Sequence, residues 1–346
     1  MKKICISIFL GIFLAGLLAA QSDLQPAAIV RLTKSEPITV KQYRTELERY
    51  EKQAGRALAA TEKRQVLDMM INERLAMQAA ERDKIAITDN DVNQQLTQLK
   101  NNMAQSVGRQ PTDTEFGQAI RNETGLELPA FREQLKKQLL IQKYLMEKKK
   151  DSFANIKVPS EDEIKNAYNL AKAQMVRPET VRFSMIQVAF TDAASKAKAK
   201  DIADRLAREI GTNPSKFDEN LIKSQTPSAD FKAGDGGYLP RNTQAQQVVG
   251  PDFMNIAFTL KQGEVSRVIE GAKGYQIIKI TETYEQKNLE LEDIFQLGTR
   301  MTVRDYIGNS LLQEREQSII AKATQELVTE LRTGNPYQII EANINF

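Results

Sequence analysis

The sequence predicts a mostly helical α+β protein: a helical domain split between the two ends of the chain, with an inserted domain of four strands and about four helices. Three observations carry this. Leu67, Ile71, Leu75 and Ala79 recur every four residues, and Ile320, Ala323, Leu327 and Leu331 mark a second long apolar stripe near the end. Between them, VRFSMIQVAF (Val181–Phe190) and GYQIIKI (Gly274–Ile280) read as strands. Ala, Leu, Ile and Met supply many of the apolar residues, and aromatics make up only 6%, which favours helix.

Lys2 and Lys3 form a basic start, Ile4 to Leu18 is an apolar run, and Ala19-Ala20 offers a small-residue cleavage site. Residues 1–20 therefore read as an export signal; an uncleaved membrane anchor is the alternative. Residues 21–38 read as extended. Thr39 caps a helix that Gly55 stops, and Thr61 starts the next. The helix from Val92 to Gln105 is polar on most sides and reads as solvated, or else as a wall of a wet cradle for unfolded chains. Thr112 with Glu115 and Ser160 with Glu163 have capping-box spacing, where hydroxyl and carboxylate satisfy the free N–H groups of a first turn. A helix runs from Pro129 to about Lys149, and the one begun at Ser160 reaches about Met175.

The middle region reads as strand 181–190, helices 192–210 and 214–223, a glycine turn GDGG (Gly234–Gly237), helix 251–258, and strands 264–269 and 274–283. From Leu289 helical character returns. A long helix with one apolar face is unstable alone, so the end of the chain is expected to pack back on the N-terminal helices. The last stretch, QIIEANINF, is expected to pair with residues 27–33. The domain limits are then a signal at 1–20, an N-terminal helical domain at 21–155, a linker helix at 156–179, the strand-containing domain at 180–284 and the returning segment at 285–346.

Composition excludes much chemistry. The 346 residues contain no His, and Cys5, inside the signal, is the only Cys. Imidazole catalysis, thiol nucleophiles, disulfides and Cys- or His-based metal sites are all excluded from the mature chain. Without Lys2 and Lys3, the 48 basic residues fall to 46 against 45 acidic ones. That balance gives no support for nucleic-acid binding. There is no nucleophile elbow, and GDGG is too short for a phosphate loop.

Residues 181–282 resemble a parvulin-type (PpiC) peptidyl-prolyl isomerase domain. The first strand stands where that family reads His-Ile-Leu-Val, the last where it reads Gly-Tyr-His-Ile-Ile, and AFTLKQGEVS (Ala257–Ser266) resembles its turn before the third strand. The stretch from Leu67 to Val92 resembles the N-terminal region of SurA- and PrsA-like extracytoplasmic foldases. This resemblance implies an exported protein-folding factor, at the periplasm or the outer face of the cytoplasmic membrane. It implies unfolded or partly folded envelope and secreted proteins as partners. Contact with a membrane is expected only through an uncleaved signal, and no cofactor or metal is implied.

Carried over position by position, the family's histidines are replaced by Met185 and Gln276, and its Cys/Asp position falls near Thr226. The apolar side of the family's pocket falls on Val249, Phe253 and Ile278. Prolyl isomerisation needs no covalent step, only an environment that lowers a barrier of about 20 kcal/mol. Three readings stay open: a chaperone whose isomerase activity is weak or lost, an isomerase working through its apolar pocket alone, and a structural subunit of an envelope assembly.

Overall fold

The computed structural model describes residues 23–211 and 213–345. The export signal and Cys5 lie outside the described residues. The chain packs as two compact units: residues up to Ile156 together with those from Arg315 onward, and Lys157–Glu314.

The first unit begins with a hairpin of β1 (Pro26–Val30) and β2 (Glu36–Thr39). The helices α1 (Val40–Ala54), α2 (Ala60–Arg82), α3 (Asp89–Val107), α4 (Asp113–Thr124), α5 (Leu128–Lys148) and the short α6 (Lys150–Ala154) follow. Reciprocal caps start three of them, from Thr39 and Gln42, Thr88 and Asp91, and Thr112 and Glu115. The apolar stripe of α2 is buried as its spacing predicts: Leu67, Ile71, Leu75 and Ala79 have no exposed surface. They pack with Ile38, Leu47 and Tyr144, and with Ala323, Leu327 and Leu331 of the long C-terminal helix α12 (Val303–Arg332). Each fully buried Leu or Ile among them contributes about 1.5–3 kcal/mol by leaving water. Arg332 fixes the end of α12 on α2, donating to Asp68 Oδ1 (2.8 Å) and Asn72 Oδ1 (2.7 Å). The closing strand β9 (Tyr337–Ile339) pairs antiparallel with β1, Ala28 opposite Ile339 and Val30 opposite Tyr337. The end of the chain thus returns to its beginning.

The strand β2 was not expected. Its turn is held by Gln78 of α2, whose amide oxygen accepts from Leu32 N (3.0 Å) and Thr33 N (3.1 Å) while its nitrogen donates to Lys34 O and Glu36 Oε2. A smaller apolar cluster joins Val92 and Leu96 of α3, Phe116 and Ile120 of α4, and Leu135 of α5.

The second unit holds α7 (Glu161–Ala171), a 3-10 turn (Lys172–Gln174), β3 (Val176–Arg177), β4 (Thr180–Ala189), α8 (Ala193–Ile210), α9 (Pro214–Lys223), β5 (Lys232–Pro240), α10 (Thr243–Val249), α11 (Pro251–Ala257), β6 (Ile269–Gly271), β7 (Gly274–Tyr284) and β8 (Lys287–Asn288). Its sheet is antiparallel throughout, in the order β5-β4-β7-β6. Strand alternation sends Ile186, Val188, Tyr275 and Ile277 against Ala203, Leu206 and Phe217 of α8 and α9. The opposite face carries Phe183, Ile278 and Ile280, covered by Phe253, Met254 and Ala257 of α11.

Three local readings change. GDGG is no turn; it lies within β5, opposite Phe183 to Met185. Phe183 pairs with Gly237 and Ser184 with Asp235, so Gly236 is the extra residue of a bulge, and Gly237 follows at φ 79°. The strand expected at 264–269 is reduced to a single bridge, Val265 to Lys279, before β6. Helix does not resume at Leu289. The segment 285–302 is non-helical, with β8 its one short strand, because it packs as a cover: Leu289 is buried with Ile164 and Tyr168 of α7, and its carbonyl accepts from Tyr168 Oη (3.0 Å). The helix restarts at Val303 under a cap in which Thr302 and Asp305 bond reciprocally.

Candidate functional site

The candidate site is the sheet face that α10 and α11 cover. In the β4–β7 ladder Phe183 lies opposite Ile280, Met185 opposite Ile278 and Gln187 opposite Gln276. Directly opposed residues share a face. Met185 and Gln276 are therefore diagonal neighbours on one surface, as strand alternation in the sequence suggests.

The floor is apolar and closed. Ile278 has no exposed surface and Phe253 has 3%, and Phe253 meets Phe183 edge to face. Ser266 clamps β7 at this point: its N donates to Ile278 O (2.8 Å) and its Oγ accepts from Ile278 N (2.9 Å). Met185, Gln187, Gln276 and Val249 are half-buried and keep surface above this floor. Of the expected contact residues, Val249 thus lies at the rim, while Phe253 and Ile278 lie beneath.

Thr226 is placed differently. It is exposed in the turn after α9, and its hydroxyl donates to Lys223 O (2.8 Å). Its recorded hydrogen bonds reach neither Met185 nor Gln276.

The glycines of β5 shape the open edge of this face. A Cβ on Gly236 would come within 2.2 Å of the Phe183 ring, whereas one on Gly234 would meet nothing within 4 Å. Glycine at 236 lets the ring pass under the strand. The sequence marks these glycines but not this use, because the bulge that aims Gly236 at Phe183 depends on pairing with β4.

The ionisable groups gather at the end of the ladder. Arg182 donates to Asp235 Oδ2 (2.7 Å) and Glu282 Oε1 (2.8 Å), and its guanidinium lies 5.2 Å from the centroid of Tyr238. This cation holds Asp235 below the usual carboxylate range. The Tyr284 hydroxyl, and then Arg182, hold Glu282 down likewise. Hydrogen bonding to Glu282 pushes the Tyr284 phenol up to about 12. Both carboxylates are thus ionised and paired at neutral pH, so neither is a proton donor there. Met185 and Gln276 carry no charge, whereas Lys232 lies opposite Gln187 on the same face; the face offers an apolar floor with a polar, partly charged margin.

Two family models match the chain: the PPIC-type PPIASE domain over residues 159–295 and the SurA-like N-terminal domain over residues 2–145. Foldase protein PrsA of Clostridium botulinum strain Hall is 25% identical over 290 residues, covering 82% of this chain and 76% of its own. The Langeland strain's protein is 27% identical over the same shares. Chaperone SurA of Chromohalobacter salexigens is 25% identical over 275 residues, 74% of this chain and 57% of its own. Among solved structures, PrsA from Bacillus subtilis matches with 22% identity over 89% of this chain and 93% of that one, at a TM-score of 0.29. A SurA-like chaperone of Campylobacter jejuni matches with 15% identity over 91% and 99%, at 0.35. The chain belongs to the SurA/PrsA-like foldases, chaperones that take unfolded proteins, and it joins a SurA-like N-terminal domain to a PPIC-type parvulin rotamase domain.

Proposed function

We propose that this protein is an exported chaperone that holds unfolded or partly folded envelope and secreted proteins, and that its rotamase domain binds extended segments while isomerising prolyl bonds weakly or not at all. The observation that carries this reading is that Met185 and Gln276, which the resemblance puts at the parvulin family's histidine positions, are diagonal neighbours on one face of the sheet. Met185 donates no hydrogen bond, and Gln276 offers an amide that neither charges nor titrates. Val249 would meet a bound proline at the rim, with Phe253 and Ile278 forming the apolar floor. Thr226, near the family's Cys/Asp position by the resemblance, lies exposed in the turn after α9 with its hydroxyl bonded to Lys223 O. We read the chain as signal 1–20, N-terminal chaperone domain 21–155, linker helix 156–179, rotamase domain 180–284 and returning segment 285–346, working in the periplasm or at the outer face of the cytoplasmic membrane. Contacts are weak and multivalent, so avidity comes without slow release.

The test is a protease-coupled cis/trans assay on Xaa-Pro peptides with the unaltered chain, run beside suppression of aggregation of a chemically unfolded outer-membrane protein. The reading expects suppression with little isomerisation, and a gain of isomerisation when Met185→His and Gln276→His are combined. Isomerisation at the level of a histidine-bearing parvulin would sink it in favour of an isomerase working by its apolar floor. That second reading is favoured by one observation, the closed Phe183–Phe253 floor below a half-buried Met185.

A further inference from the structure

One row of the rotamase sheet takes a residue from each strand. Lys232 of β5 lies opposite Gln187 of β4, Gln187 opposite Gln276 of β7, and Gln276 opposite Ile269 of β6. Directly opposed residues share a face. It is the face of Met185, because residues two apart along a strand point the same way. The row therefore borders the apolar floor. Ile269 belongs to the buried cluster of Phe183, Phe253 and Ile278, Gln187 and Gln276 are half-buried, and Lys232 is exposed.

Three cations stand on these four strands: Arg182, Lys232 and Lys279. Arg182 is paired with Asp235 and Glu282, and Lys279 with Asp218 (2.8 Å). Both lie on the opposite face, where Ser184 stands across from Asp235 and Lys279. Among the described residues Lys232 makes no ion pair or side-chain hydrogen bond, and the Gln187 amide makes none either. The carboxylates nearest the row in sequence are committed elsewhere. Asp230 is held by Arg205 (2.8 Å), and Glu270 by Lys196 (2.6 Å). The Gln276 amide oxygen lies towards β6, where a Cβ on Gly271 would come within 3.4 Å of it. Lys232 and Gln187 are thus left as two adjacent free donors at the edge of an apolar floor.

A carboxylate placed between them accepts from one ammonium and one amide N–H, and the first of these bonds is charge-assisted. One ammonium matches the single charge of a carboxylate and not the charge of about −1.5 to −2 on a phosphate. A basic side chain would meet like charge. Lys232 is the diagonal neighbour of Met185 across the β4–β5 ladder, and diagonal neighbours lie about 7–8 Å apart. An extended chain covers that distance in about two residues. Resting on the reading that the rotamase domain binds extended segments, we propose that Lys232, with the Gln187 amide beside it, is a specificity-determining residue: it selects segments carrying a carboxylate side chain within two residues of the one seated over Met185. It touches the bound segment and takes no part in turning a prolyl bond.

The test is fluorescence anisotropy of a labelled, end-blocked peptide, Gly-Glu-Glu-Pro-Glu-Glu-Gly, with the full chain, beside versions in which every Glu is Gln or Lys. The Glu peptide should bind about three- to fivefold more tightly than the Gln peptide, the range an exposed ion pair supports, and the Lys peptide should bind worst. Added salt should shrink the difference. Lys232→Gln should bring the Glu peptide down to the affinity of the Gln peptide and leave the Gln peptide unchanged, whereas Lys232→Arg should keep the preference. Lys165→Gln, on α7, removes the same net charge and should also keep it. Circular dichroism verifies that these exposed variants are folded. Equal binding of the Glu and Gln peptides by the unaltered chain, or a preference that survives Lys232→Gln, overturns the proposal. In either case the reading of the rotamase domain as a binder of extended segments stands so long as the Gln peptide binds. Failure of every peptide to bind removes both, and suppression of aggregation measured in parallel then decides whether the chaperone reading survives without them.

Discussion

Phe183 and Phe253 meet edge to face, their ring centroids 5.3 Å apart and their planes at 70°. One comes from the central strand β4 and the other from α11, so this contact seats the helix on the sheet face that carries Met185 and Gln276. Edge-to-face pairs add about 0.5–1.5 kcal/mol beyond area burial.

Phe253→Ala should therefore lower stability by about 3–5 kcal/mol, the usual range for emptying a buried aromatic site. Gln276→Ala, at a half-buried position, should cost about 1 kcal/mol or less. Urea denaturation separates them. Peptide titration should follow the same order, Phe253→Ala weakening binding more; equal or reversed effects would remove the assignment of the floor.

The paired glycines allow a sharper comparison. Gly236→Ala drives a methyl into the Phe183 ring and should cost about 1–3 kcal/mol by overpacking. Gly234→Ala, two residues away with open space around it, should change stability by about 0.5 kcal/mol at most. Matching denaturation midpoints for the two variants would mean that Phe183 is free to move aside.

In the first unit, Gln78→Met should orphan the N–H groups of Leu32 and Thr33, which both donate to the Gln78 amide oxygen. Leu32 is half-buried and Thr33 exposed, so losing each bond should cost about 0.5–1.5 kcal/mol. Hydrogen exchange at Leu32 and Thr33 should accelerate more than elsewhere in the β1–β2–β9 sheet. Uniform acceleration would show global destabilisation instead of a loosened turn.

The Tyr284–Glu282 hydrogen bond makes stability depend on alkaline pH. The folded phenol titrates at about 12, above its ordinary value of 10.0. A raised value means the contribution is fully present below pH 10 and is lost as pH rises towards 12. Tyr284→Phe should abolish that loss, and tyrosinate absorbance should show one late-titrating phenol fewer. At the acid end, Asp235 and Glu282 are held down in part by Arg182. Their contribution is present above the ordinary carboxylate range and disappears as pH falls through their depressed values. Arg182→Met should flatten that acid limb; an unchanged limb in thermal melts across pH 3–5 would show that the bridge is fully screened.

Local chemistry was legible without the fold. The caps at Thr39, Thr112 and Ser160, the apolar stripe of α2 and the two long strands follow from spacing alone, since each depends on residues within one or two turns. The absence of His was equally plain. Alternation along β4 and β7 puts Met185 and Gln276 on one face of the sheet, and in the ladder they are diagonal neighbours. What needed the tertiary structure is what depends on partners distant in sequence. GDGG reads as a turn because glycine is a turn residue; only pairing with β4 draws it into a strand and turns Gly236 towards Phe183. The segment after Leu289 has helical composition, yet it is non-helical where Leu289 is buried against Tyr168. Gln78 reads as one more polar residue on α2 until the β1–β2 turn closes over it. Sequence spacing by itself determined which surfaces are apolar; the long-range pairing decided which of them are covered and which stay open to a ligand, because burial is settled by the neighbours a residue meets and not by the residue alone.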